Sequence, residues 1–299
     1  PTDYRKDEGA YGGGSSVDIN FEKRGMQMKQ MNLDAYSPLH KTGHTSKGDQ
    51  RKWKIDQWWY KADYMGYEGL AEVLISRLLM KSSLQQPFVQ YEPIQIEYHG
   101  KKICGCSSRD FLQEDETLIP LEKLYRQYTG ESLAIKISGF SEVTDRIKYL
   151  VDEVERITGL EGFGNYLTAM LEIDTFFLNE DRHTNNIAVI YNEKTRKYSY
   201  SPLFDQGLCL FADTSQDYPL EQSVEKCLEI IEAKPFSRDF DGQLDAAEEL
   251  YGVQLRFCFT ITEVEQELEQ MKAFYPEQVC RRVKQLIGRQ IRKYCYLIS

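Results

Sequence analysis

No hydrophobic run in this 299-residue chain approaches the roughly 20 residues that a membrane-spanning helix needs. The opening residues do not follow the basic, apolar, small-residue order of a secretory signal. No C-x-x-C pair occurs. The cysteines are seven, an odd number, and scattered at Cys104, Cys106, Cys209, Cys227, Cys258, Cys280 and Cys295. Only Cys104 and Cys106 are close, and in a strand they would share a face with no second pair to complete a tetrahedral zinc site. Reduced, mostly buried thiols are therefore expected, and with them a cytoplasmic protein. The same usage suits a protein secreted into a host cytosol. Basic charge is also short: 37 Lys and Arg stand against 47 Asp and Glu, a net charge of −10. That balance argues against direct nucleic-acid binding, which normally needs a basic face. The one basic stretch, HKTGHTSKGDQRKWK from His40 to Lys54, reads as a solvated loop. There is no internal repeat, and neither G-x-G-x-x-G nor G-x-x-x-x-G-K-[ST] is present.

What remains is ample for a folded protein. A hydrophobic share of 41% can fill a sizeable core, and the length suits one two-lobed domain or two ordinary ones. Residues 1–25, with GAYGGGSS at their centre, read as a flexible leader or an added arm. Ile55 to Ala62 (IDQWWYKA) reads as an aromatic-rich strand. In GYEGLAEVLISRLLMKSS the residues Leu70, Ala71, Leu74, Ile75, Leu78 and Leu79 recur at helical spacing. Phe88 to Ile96 and Lys101 to Cys106 read as strands joined by a turn at His99-Gly100. The polar stretch SSRDFLQEDETLIP reads as a connector. Beyond it the chain is mainly helical: Ser141–Ile157, Gly164–Leu178, Glu221–Ala233, Ser237–Tyr251, Thr262–Phe274 and Pro276–Leu297 carry helix patterns. The expected class is α+β, with a small, mostly antiparallel sheet lobe over residues 26–108 and a larger helical lobe over 109–299.

The richest stretch is FFLNEDRHTNNIAVIYNEKTRKYSYSPLFDQGLCLF, Phe176 to Phe211. Asn186 leads into an apolar strand. The chain turns at Asn192 to Thr195 and returns as Lys197 to Phe204, which would bring Asp205 back beside Asn186. An amide oxygen and a carboxylate at one strand end suit Mg²⁺, a cation that takes few protein oxygens and leaves positions for water and phosphate. Gly207 frees the backbone behind Asp205 for a tight turn. Asp181 would reach over the same spot and could accept a hydroxyl proton, the division of labour found in phosphoryl transfer. Asp, Asn and His are also common turn and cap residues; the joint pattern of helix, loop, hairpin and D-x-G is what makes the reading specific.

E-D-R-H-T-N-N-I followed by F-D-Q-G resembles the active-site segment of the HipA-like serine/threonine kinases, and is similar to the D-R-H-x-x-N-I and D-x-G segments of phosphoinositide kinases. The resemblance runs from about Leu39 to near the C-terminus. It implies a two-lobed protein-kinase-like fold, with ATP and Mg²⁺ as cofactors and a protein Ser or Thr hydroxyl as acceptor. It implies Asp181 as catalytic base, Asn186 and Asp205 as metal ligands, and His183 as a brace for the loop. Where HipA proteins often carry Lys before the Asn, this chain has Asn185. A kinase also needs a strand lysine held by a helix carboxylate. Lys61 is that lysine, and Glu72 is preferred to Glu68 because it flanks the apolar stripe through Ile75 and Leu79. The phosphate-covering loop would be SPLHKTGHTSKGDQRKW, with Gly43 and Gly48 admitting phosphate to the backbone and Lys47 adding charge. By the same resemblance Thr45 or Ser46 would be autophosphorylated. Ser107, Ser108 and Asp110 fall where the family's hinge meets adenine. Partners would be a protein substrate and an antitoxin or host protein. A lipid or small-molecule kinase, and a nucleotide-binding pseudokinase acting by interaction, are the rival readings.

Overall fold

The computed structural model describes residues 29–39 and 50–299. Residues 1–25 and the loop positions Gly43, Thr45, Ser46, Lys47 and Gly48 lie outside the described residues. The small lobe is a five-stranded sheet of β1 (Gln30–Asn32), β2 (Lys52–Ile55), β3 (Trp58–Ala62), β4 (Glu92–Tyr98) and β5 (Lys101–Arg109), in the order β1-β4-β5-β3-β2. All pairings are antiparallel except β1 with β4. The aromatic stretch expected as one strand is a hairpin. Asp56 takes a positive φ of 52°, a conformation that Asp tolerates, and this folds β2 back onto β3.

Alternation then divides the sheet's two faces. Trp53, Tyr60, Ala62, Ile94 and Ile96 bury themselves in a small outer cluster with Leu33. Trp59 and Lys61 point the other way, into the cleft between the lobes. On that inner side lies helix α1 (Glu68–Leu79), in which Leu70, Leu74, Ile75 and Leu78 are fully buried. Each such side chain contributes about 1.5–3 kcal/mol by leaving water. Glycine sets how near α1 comes. A Cβ on Gly69 would stand 2.6 Å from the backbone of Gly105 in β5, and one on Gly105 would stand 2.1 Å from the Lys61 carbonyl oxygen. Helix and sheet therefore meet backbone to backbone.

The chain leaves the sheet after Arg109, later than the expected Cys106. The connector is shorter than expected too, because Glu116–Pro120 forms β6 and pairs with β7 (Ala188–Asn192), which pairs with β8 (Lys197–Tyr200). The returning strand stops at Tyr200, before Pro202, which has no N–H to give a ladder. Similarly, the strand expected from Phe88 starts only at Glu92; Phe88 makes an isolated bridge to Leu203. Two helices lie in a stretch with no sequence assignment, α2 (Leu121–Thr129) and α3 (Leu133–Ser138). The expected helices follow as α4 (Val143–Thr158), α5 (Phe163–Phe177), α6 (Val224–Ile230), α7 (Phe240–Tyr251), α8 (Ile261–Met271) and α9 (Glu277–Lys293). Nearly every residue of α5 is buried, which makes it the axis of the large lobe. The large-lobe core is continuous with the inner side of α1. Among the described residues no helix is long and apolar enough to cross a membrane.

Candidate active site

The lysine of β3 is the hub. Lys61 Nζ lies 2.5 Å from Glu72 Oε1, 2.9 Å from Asp205 Oδ1 and 3.3 Å from the Tyr91 hydroxyl. Burial opposes its charge, but Asp205 and Glu72 hold its pKa well above the ordinary lysine value. Glu72 is 1% exposed, and its second oxygen accepts the N–H of Gln206 at 3.0 Å. One carboxylate therefore joins β3, α1 and the segment after Asp205. Glu68 does something else. Its oxygens accept the backbone N–H groups of Tyr64 (3.1 Å), Met65 (2.6 Å) and Gly66 (3.0 Å), closing the turn into α1, where Tyr67 offers no side-chain cap.

Asp205 adopts a φ of 66°, and its carboxylate takes a second ammonium, Lys52 Nζ at 3.4 Å. Burial pushes its pKa up, yet Lys52 and Lys61 together hold it well below the usual carboxylate range. Asp205 is therefore an anion at neutral pH.

The loop before β7 is held from below. Arg182, 1% exposed, makes a two-pronged ion pair with Asp174 of α5, with Nε to Oδ2 at 2.6 Å and Nη2 to Oδ1 at 2.9 Å. Its Nη1 donates to the carbonyls of Asn186 (3.0 Å) and Phe204 (3.3 Å). That one guanidinium ties the two ends of the hairpin together, which is how Asp205 comes near Asn186 although the strand ladder stops earlier. Arg182 thus braces the loop from below, and within it the His183 carbonyl accepts the Asn186 N–H at 2.7 Å. His183 Nε2 lies 3.8 Å from Asp181 Oδ1, and its Nδ1 has no hydrogen-bond partner among the described residues. Asn186 Nδ2 donates to the Asp181 carbonyl at 2.7 Å and to Asp181 Oδ2 at 3.3 Å. With the amide nitrogen so used, Oδ1 is the Asn186 atom able to meet a cation.

Two adjoining spaces open on this network. A mainly apolar pocket of about 200 Å³ is walled by Val89, Phe111, Leu112, Leu118 and Phe204, and is also lined by Lys61, Lys52 and Asp205 and by Ser108 to Asp110 at the C-terminal end of β5. A narrower cleft continues from it, lined by Lys52, Asp205, Gly207 and Asp181. Ser107 sits one residue further in, on the other face of β5 by alternation. Asp110 is at the pocket, and its carboxylate is held 2.5 Å from Lys54 Nζ. Arg182, Asp174, Tyr91, Gln206 and Lys52 were not singled out from the sequence.

The buried pair predicts an asymmetry in stability. Lys61→Ala leaves the Glu72 carboxylate without its cation, and should cost about 3–5 kcal/mol. Glu72→Ala costs less, because Lys61 keeps Asp205. The double variant should fall well short of the sum. Denaturant unfolding of the three variants measures this, and additive losses would mean that the two do not act as a pair.

These elements define a two-lobed, protein-kinase-like fold, with the network and the pocket lying in the cleft between the lobes. Among solved structures, the Helicobacter pylori proinflammatory kinase CtkA is similar in fold, with a TM-score of 0.56 and 14% sequence identity over 88% of this chain and 94% of that one. At that identity the likeness shows the fold, and it does not carry the chain into the HipA-like family. No protein-family profile matches the chain, and no curated protein matches it.

Proposed function

We propose that this chain is a protein kinase that moves the γ-phosphoryl group of ATP, with Mg²⁺, to Ser or Thr hydroxyls, and that its active-site segment works as in HipA-like kinases. The observation that carries this reading is the convergence of Lys61, Glu72 and Asp205 where an apolar pocket opens into the cleft holding Asp181. The pocket is below the usual size for a whole ligand, and suits a planar base with its phosphates running out towards Asp205. Lys61, fixed by Glu72, would position phosphate oxygens. The donor set fits a hard cation: Asn186 offers an amide oxygen and Asp205 an ionised carboxylate. Bound there, Mg²⁺ would offset charge on the phosphates. Asp181 would accept the proton of the acceptor hydroxyl as its oxygen bonds to the γ-phosphorus. The bond from that phosphorus to the β–γ bridging oxygen breaks, and ADP leaves.

The test is incubation of the chain with γ-labelled ATP, Mg²⁺ and a mixed protein extract, followed by mass spectrometry. Phosphoserine or phosphothreonine on added proteins is expected, with self-modification at Thr45 or Ser46 by resemblance to the HipA-like pattern. Nucleotide bound without any transfer would favour a pseudokinase. Label appearing only on lipid or small alcohols would move the acceptor to another class; the net charge of −10 counts against an anionic lipid surface.

A further inference from the structure

The second lysine at Asp205 has no role in the reading above. The register of β2 on β3 pairs Lys52 directly with Lys61, and directly opposed residues project from the same side of a sheet. Trp53, the next residue along, turns to the outer cluster. Both ammonium groups reach the same oxygen, Asp205 Oδ1, at 2.9 Å from Lys61 and 3.4 Å from Lys52. Their places along the cleft differ. Lys61 lines the apolar pocket only, whereas Lys52 lines both that pocket and the narrower cleft containing Asp181. Lys52 is also the more accessible, with 21% of its side chain exposed against 9% for Lys61. A base seated in the pocket would send its phosphates past Lys61 first and Lys52 second.

We infer that Lys52 is a second phosphate-binding lysine, directed at the terminal phosphate, and that it sets the preference for a nucleoside triphosphate over the diphosphate. The inference rests on the kinase reading. Lys61 is already engaged by Glu72 in a buried pair, so its ammonium is anchored. Lys52 meets Asp205 at the longer distance, 3.4 Å against 2.9 Å, and a terminal phosphate in the cleft it lines would offer it charge-assisted contacts.

Calorimetric titration of the full chain with Mg·ATP and with Mg·ADP tests this, using the native chain and Lys52→Ala, Lys52→Arg and Lys61→Ala. Loss of one charge-assisted contact should weaken Mg·ATP binding to Lys52→Ala by about tenfold or more, with Mg·ADP affinity changed by less than about twofold. Lys61→Ala should weaken both nucleotides. Lys52→Arg should restore most of the triphosphate preference. Equal losses for ATP and ADP, or no loss for either, would overturn the inference and leave Lys52 as a counter-ion of Asp205. Failure of the native chain to bind either nucleotide would sink the kinase reading and this inference with it.

Discussion

Asp205→Asn should abolish most phosphoryl transfer and leave the fold in place. Asn is the informative replacement because of the backbone. At a φ of 66° an alanine would carry left-handed strain of about 1–2 kcal/mol, whereas Asn tolerates that region, so a loss in Asp205→Asn reports on charge. The variant keeps an oxygen near the cation position and removes the anion. Turnover should fall on the order of 10²–10³-fold, the scale of a group that stabilises charge in the transition state. The Mg²⁺ concentration for half-maximal rate should rise in parallel. Lys61 retains Glu72, so circular dichroism and thermal unfolding should show an intact protein. A coupled ADP-release assay across a Mg²⁺ series is the measurement. Undiminished turnover would remove Asp205 from the proposed metal site. The native group should not limit activity near neutrality: its folded pKa lies below the ordinary value because of Lys52 and Lys61. The stability it contributes is therefore present at neutral pH and lost only as pH falls through the acid range.

The legible parts of this molecule were those fixed by neighbours in sequence. α1 and α5 carry long apolar stripes, and the β7–β8 turn, expected at Asn192 to Thr195, falls one residue on at 193–196, between the paired Asn192 and Lys197. The parts missed depend on partners far along the chain. β6 looks like polar connector because TLIP alone is too short to show alternation; it is a strand because β7, some seventy positions away, supplies the ladder. The run IDQWWYKA reads as continuous, since neither Asp56 nor Gln57 is a strong breaker. α2 did carry a signal, with Leu121, Leu124 and Tyr125 at helical spacing and all buried. Within the site, the order of strand, lysine, helix and glutamate suggests Lys61 opposite Glu72, and the two lie 2.5 Å apart. The order of Asp, Arg and His in the loop could not say which side chain turns inward. A clue lies elsewhere: Asp174, like Glu172, is a buried carboxylate in a largely apolar helix, and a charge so placed needs a partner. Arg182 is that partner. The pairing of Lys52 with Lys61 could not be read at all while the two were assigned to one loop and one strand.

Asp181→Asn should separate binding from chemistry. The Asp181 side chain is 29% exposed, and among the described residues its nearest basic side chain within ion-pair distance is His183, at 3.8 Å. Its main structural contacts run through the backbone: its N–H donates to Asn179 Oδ1 at 3.1 Å, and its carbonyl accepts Asn186 Nδ2 at 2.7 Å. An asparagine keeps both, and its own amide oxygen can still accept the longer Asn186 contact made by Oδ2 at 3.3 Å. What disappears is the negative charge and the ability to take a proton. By the proposed division of roles Mg·ATP would be held by Lys61, Lys52, Asn186 and Asp205, so nucleotide affinity should hold within about twofold. Transfer should fall on the order of 10²-fold or more, as for a positioned acid–base group. Were Asp181 present only to shape the turn, Asn would serve nearly as well, and turnover would survive. Calorimetry with Mg·ATP beside single-turnover transfer on this variant distinguishes the two. Full binding with full turnover would leave the loop as scaffolding for Asn186, and the proton acceptor would have to be sought among the other groups that line the cleft.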